Sequence, residues 1–221
     1  KKTMQQLPTS FEGYADVLRR LGYPVKLEFT SIFPPEGGNL RPLSDIIGEK
    51  KNFQQWIGIA PFAAHEGKIL PTEKTEELIK EISRRHPSCR IFLFGGGEKE
   101  HAVLNAWCER YNNCTNASQA LSSLKEEMVV MSHLDVMVSM DSGNMHLAAI
   151  SGTRVISVWG ETHPYAGFLG WNQRPEDCIQ ADLPCRPCSI YGNKPCQRGD
   201  YACLTSIDPI TIADKVDWSL N

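Results

Sequence analysis

From residue 56 onward the chain alternates short, almost wholly apolar runs with stretches of helical period, and that alternation most narrows its fold. The runs are WIGIA (56–60), RIFLF (90–94), DVMVSM (135–140) and RVISVWG (154–160). Between them the period predicts helices over 72–85, 98–111, 123–134 and 143–151. The first carries Leu78, Ile79 and Ile82 inward with Thr72 as its N-cap. The second sets Ala102, Val103, Ala106 and Trp107 on one side. Strands that are apolar throughout are covered on both faces, and parallel strands need helical crossovers. The expected fold class is therefore α/β, a doubly wound, Rossmann-like parallel sheet.

Sheets of this kind bind ligands just beyond the carboxyl ends of their strands. Every unusual piece of this sequence falls at such an end: PFAAHEGK, GGGEKE, DSGNMH and GETHP follow the four runs in turn. Upstream, residues 11–23 read as a helix ending at Gly22, with Phe11, Tyr14, Val17, Leu18 and Leu21 on one face. VKLEF (25–29) reads as a short strand. Residues 31–52, with Pro34, Pro35, Gly37, Gly38 and Pro42, read as loop and hinge.

A hydrophobic fraction of 41% against 22% charged residues predicts a packed core. The net charge of -3 supplies no basic field, which argues against nucleic acid as a partner. No apolar run approaches the ~20 residues of a membrane span. The opening KKTMQQLPTSFEGY lacks both an initiator Met and the apolar core of a signal peptide, so the chain is expected to be a piece of a longer protein.

Asp141-Ser142-Gly143, followed by Asn144, Met145 and His146, is the sharpest motif. Asp and Ser are good N-caps, Gly143 removes a side chain where a ligand can approach, and His146 lies one turn in, leaning toward the helix mouth. Free amides, a hydroxyl and an imidazole would converge there, a setting for a diphosphate. The plain alternative is capping plus a buried histidine. Lys68, in the loop after the first run, can neutralise a phosphate as a point charge, though loop lysines are usually just solvated. His65 and Glu66 beside it have less reason to face a ligand. Gly95-Gly96-Gly97 opens a helix after a strand. Glu98 or Glu100 behind it can meet a ribose hydroxyl, or can simply favour the helix dipole.

Eight cysteines are unevenly placed. Cys89, Cys108 and Cys114 are scattered, while Cys178, Cys185, Cys188, Cys196 and Cys203 crowd into 178–203. Cys185, Cys188, Cys196 and Cys203 are candidate ligands of a structural zinc, against packing thiols or disulfides as alternatives.

The stretches IGIAPFAAHEGKILPTEKTEELI (57–79), IFLFGGGEKE (91–100) and VMVSMDSGNMHLAAISGTRVISVWGETHP (136–164), with the LPCRPC…GDYACL cysteines, resemble the C-terminal domain of the ADP-heptose:lipopolysaccharide heptosyltransferases, glycosyltransferase family 9. The resemblance covers about residues 55–210. It implies the C-terminal half of a GT-B enzyme, an inverting glycosyltransferase whose two Rossmann-like domains face each other across a cleft. Residues 1–54 would be the inter-domain connection and 55–221 the sugar-nucleotide domain. By this analogy Lys68 contacts the diphosphate and Glu100, before Glu98, the ribose. Asp141, Ser142, Gly143, Asn144, Met145 and His146 would surround the diphosphate and donor sugar, with Thr162 and His163 lining the same site. Lys68 and His146 would stabilise the transition state.

The donor would be ADP-heptose or a similar nucleotide sugar. The acceptor, a glycan or lipid-A core, and the catalytic base would belong to an N-terminal domain absent here, leaving this chain inactive alone. No DxD-like acid pair follows a strand, so no cofactor is expected to be required beyond the candidate zinc. A cytoplasmic location is expected, with peripheral contact at the inner membrane left open. The competing readings are a non-catalytic nucleotide-binding α/β module and a zinc-organised interaction domain.

Overall fold

The computed structural model describes residues 4–220. In chain order the elements are α1 (Ser10–Arg20), α2 (Ser44–Ile47), β1 (Trp56–Ala60), α3 (Thr72–Arg85), β2 (Arg90–Leu93), α4 (Gly97–Arg110), β3 (Cys114–Asn116), α5 (Ala117–Ala120), α6 (Leu124–Met131), β4 (Val136–Met140), α7 (Gly143–Ile150), β5 (Val155–Trp159), β6 (Cys178–Gln180), α8 (Ala202–Thr205) and α9 (Pro209–Leu220).

The strands form one sheet in the order β3-β2-β1-β4-β5-β6, every pair parallel. The four apolar runs are its four inner strands, and β1, β4 and β5 are buried at every residue. The order reverses between β1 and β4, where Ile57 faces Val136 and Ala60 faces Ser139. That reversal opens a crevice at the carboxyl edge.

Side-chain alternation divides the core in two. Ile57 and Ile59 pack with Leu78, Ile79 and Ile82 of α3, Trp107 of α4 and Ile212 and Val216 of α9. Trp56 and Ala60 pack on the other side with Val130 and Met131 of α6 and Met145 and Ala148 of α7. Arg85 ties α3 to α9 through Asp214 at 2.7 Å and Asp217 at 2.6 Å.

Several expectations need correction. VKLEF forms no strand: Val25, Leu27 and Phe29 are exposed, and among the described residues no ladder receives the segment. An extended run without a neighbouring edge remains coil. The edge strands β3 and β6, three residues each, are too short to carry a legible period. In α4 the buried residues are Leu104 and Trp107, with Ala102 exposed, so the helix is rotated from its expected face. Thr72 is the first helical residue of α3 rather than its cap, which is Pro71. Within 31–52, Leu43 and Ile47 are core residues rather than free loop. By contrast α1, closed by a Thr9/Glu12 capping box, buries no residue. Truncating a side chain wholly inside the core, Leu78→Ala, is expected to cost about 2–5 kcal/mol in a denaturant titration, because the rigid sheet below can collapse only partly into the cavity.

Candidate functional site

Three strand exits meet at the β1/β4 reversal. The loop leaving β1 makes a helical turn at Glu66–Lys68, β4 runs through Asp141 and Ser142 into α7, and β5 leads to Gly160, Glu161 and Thr162. Their polar groups converge on one carboxylate. Lys68 Nζ lies 3.2 Å from Asp141 Oδ2, and Thr162 Oγ1 donates to the same oxygen at 2.8 Å. Asp141 and Thr162 are buried, and only 15% of the Lys68 side chain is exposed. In so shielded a place the ion pair is screened little by salt.

The mouth of α7 adjoins this cluster. Ser142 takes the N-cap position, yet among the described residues its hydroxyl caps nothing in the helix and stands 3.4 Å from Ser139 Oγ. Asp141 is turned to Lys68 and Thr162. Capping therefore accounts for neither polar side chain, and the first-turn amides remain available to an anion. His146 is pushed below the usual imidazole range, first by burial and further by Lys68, against the opposing pull of Asp141. A neutral ring can still donate one N–H toward a phosphate oxygen.

On the other side of the α7 mouth lies a cavity of about 250 Å³ lined by Phe62, Ala63, Glu100, Ser142, Gly143 and Asn144. Glu100 Oε2 accepts from the Gly96 amide at 2.8 Å, which holds its carboxylate at the rim. Glu98 points to solvent. Met145 is fully buried in the core, so only its backbone can serve a ligand. His163 is drawn aside: its Nδ1 accepts from the Tyr165 amide at 3.1 Å and its ring meets Tyr165 at 4.4 Å.

The four zinc candidates do not form a centre. Among the described residues no group of three or more His, Cys, Asp or Glu side chains can hold a metal ion. Cys203 belongs to the core, and burial pushes its thiol up to about 11.

The profile of glycosyltransferase family 9 (heptosyltransferase) matches residues 42–196. The chain belongs to this family. Lipooligosaccharide heptosyltransferase 2 of Campylobacter jejuni (serotype O:6) is 20% identical over 173 residues, 75% of this chain and 52% of that protein. Lipopolysaccharide heptosyltransferase 1 of Campylobacter coli is 31% identical over 127 residues, 56% of this chain and 35% of that protein. The family 9 chain thus spans about half the length, or less, of the curated relatives it matches. Among solved structures, the family 9 glycosyl transferase of Veillonella parvula superimposes with a TM-score of 0.73 at 15% identity, covering 100% of this chain and 62% of that one. The E. coli heptosyltransferase WaaC, solved with ADP, gives a TM-score of 0.58 at 18% identity, covering 91% of this chain and 53% of that one. At such identities the likeness establishes the fold, the Rossmann-like sheet of GT-B heptosyltransferases.

Two buried charges of this family 9 chain had no sequence signal beyond their neighbours. Arg186 was visible only as a spacer between cysteines. Its buried guanidinium donates to five neutral oxygens: the Trp159, Gly160, Thr162 and Ala181 carbonyls and Gln180 Oε1. Glu161 stood merely beside Thr162. It is 0% exposed, its carboxyl lies over the Cα of Gly67, and among the described residues neither oxygen has a hydrogen-bond partner. Burial, then the nearby Glu66 carboxylate, pushes its pKa up.

The folded state therefore holds the Glu161 proton more tightly than the unfolded chain. The stability this confers is complete below the ordinary carboxyl range, about pH 4, and is lost as pH rises through the folded pKa. Glu161→Gln mimics the protonated acid. Its thermal midpoint is expected to equal that of the parent at acid pH and to exceed it increasingly toward pH 8. A gap that shrinks as pH rises would contradict this account.

Proposed function

We propose that this chain is the sugar-nucleotide-binding domain of an inverting glycosyltransferase of lipopolysaccharide or related cell-surface glycan synthesis, with an ADP-heptose-like donor. The observation that carries the reading is the Lys68–Asp141–Thr162 cluster beside the open mouth of α7 at the sheet's reversal point. The ADP bound to the E. coli relative supports adenine as the base. The cavity beside Glu100 would take the nucleoside, the Ser142–Met145 amides and Lys68 the diphosphate, and Asp141 and Thr162 the glycosyl end.

In this mechanism an acceptor hydroxyl attacks the anomeric carbon from the face opposite the leaving group. The carbon–oxygen bond to the diphosphate breaks, and negative charge grows on the departing phosphate. Lys68, the His146 N–H and the α7 amides are already in place to receive that charge, so little reorganisation is needed at the moment of transfer. Asp141 holds Lys68 in position before the donor arrives, and the phosphate competes for the same ammonium. The acceptor, and the base that takes its proton, belong to another domain of the parent protein. Residues 1–54 are its connection to the domain at 55–221, and this chain by itself binds donor without transferring sugar. Among the described residues no helix is long and apolar enough to cross a membrane. The reading places the enzyme on the cytoplasmic side, at the inner leaflet where its glycolipid acceptor is built.

Calorimetric titration with ADP, UDP and GDP tests the donor. ADP is expected to bind most tightly. Lys68→Ala and His146→Ala should each weaken it about tenfold or more, the scale of a lost hydrogen bond to a charged group. Unchanged ADP affinity in both variants would sink the assignment.

A further inference from the structure

The cysteine-rich segment lies against the stem of Lys68, the residue whose ammonium meets Asp141. Residues 186–193 are stitched to the exit loop of β5. Arg186 Nη2 donates to the Thr162 carbonyl at 2.9 Å and to the Trp159 carbonyl at 3.1 Å, and the Cys188 amide donates to the Glu161 carbonyl at 2.9 Å. The chain then folds into a tight turn around one hydroxyl. Ser189 Oγ accepts from the Gly192 amide at 3.0 Å, the Tyr191 amide at 3.3 Å and the Asn193 amide at 3.4 Å, and donates to Asn193 Oδ1 at 2.9 Å.

The tip of this turn is Gly192, at φ +71°. A Cβ there would stand 2.6 Å from both Cγ and Cδ of Lys68 and 3.4 Å from the Thr162 methyl. The crowded atoms are mid-stem. A lysine that rotated away from them would carry its ammonium with it, out of the 3.2 Å contact with Asp141.

We propose that Gly192 is a positioning residue of the anion site: its bare Cα forms the wall along which the Lys68 stem lies, so that the turn at 189–193 sets where the ammonium meets the donor's diphosphate. The inference rests on the donor reading above. The cysteine-rich segment then has a role in the site that does not depend on a metal. Arg186 and the Cys188 amide fix the base of the wall to the loop bearing Thr162, and the Ser189 hydroxyl fixes its tip. A shift of about 1 Å in a group of this kind can remove a productive contact.

The test is a double-mutant cycle in the 221-residue chain, read as calorimetric ADP affinity for the parent, Gly192→Ala, Lys68→Ala and the double variant. Gly192→Ala is expected to weaken ADP about tenfold, as Lys68→Ala does, while adding it to Lys68→Ala should change affinity less than about twofold. Gly192→Asn separates crowding from backbone strain, since asparagine tolerates positive φ yet brings the same Cβ. It too should weaken ADP while keeping a cooperative melt.

Additive losses in the cycle would overturn the inference alone, as would parental affinity in Gly192→Asn. A Gly192→Asn protein without a cooperative melt would also overturn it, by making the residue's role one of folding. No loss of affinity in Lys68→Ala would overturn the inference; no loss in both Lys68→Ala and His146→Ala would overturn the donor reading and the inference with it.

Discussion

The pairing of β1 with β4 is the constraint on which the rest of the molecule depends. Four register pairs, from Ile57↔Val136 to Ala60↔Ser139, join strands that are far apart in sequence. Because both strands are buried on both faces, a slip of one residue would send Trp56 and Ile57 to the wrong layers. The register therefore has little freedom, and it brings the exit loops of β1 and β4 side by side. Lys68 and Asp141, separated by more than seventy positions, meet as a consequence. Parallel β5, paired to β4 up to Val158, delivers Thr162 to the same carboxylate.

The electrostatics of the crevice follow from burial more than from the count of charges. Lys68 and Asp141 neutralise one another, and His146 is kept neutral by desolvation. Burial, and then the Glu66 carboxylate, pushes the Glu161 pKa up. Arg186 lies under the same loop with only neutral oxygens as hydrogen-bond acceptors. Donors arranged before a ligand arrives need little reorganisation to meet developing negative charge.

The cysteine-rich segment changes meaning between sequence and structure. Its spacing invited a zinc reading, because four thiols close in sequence are the usual signature of one. In the fold the segment is used differently. Cys203 packs in the core, the Cys188 amide holds the β5 exit loop, and the residues between the cysteines, Arg186, Ser189 and Gly192, carry the contacts with the site. A motif search reads the conspicuous residue and passes over its neighbours.

The sequence by itself determined the sheet. Inner strands buried on both faces cannot alternate polar and apolar residues, so WIGIA, RIFLF, DVMVSM and RVISVWG were legible as the centre of a parallel sheet. The same reasoning marked the strand ends as the place to look, and Lys68, Asp141, His146 and Thr162 were all found there. It did not reach VKLEF, whose pattern allows a strand but whose surroundings offer no edge to join. Nor did it reach β3 and β6, which are too short to show a period. Tertiary structure alone decided which polar groups touch: that Asp141 serves Lys68 and Thr162 rather than the helix, that Met145 turns inward, that His163 turns to Tyr165, and that a glycine more than 120 positions from Lys68 lies against its stem. The physical reason is one of range. Periodicity and propensity act over a few residues, whereas a buried carboxylate, an orphaned acid or a missing Cβ acquires its meaning from atoms brought near only by the closed fold.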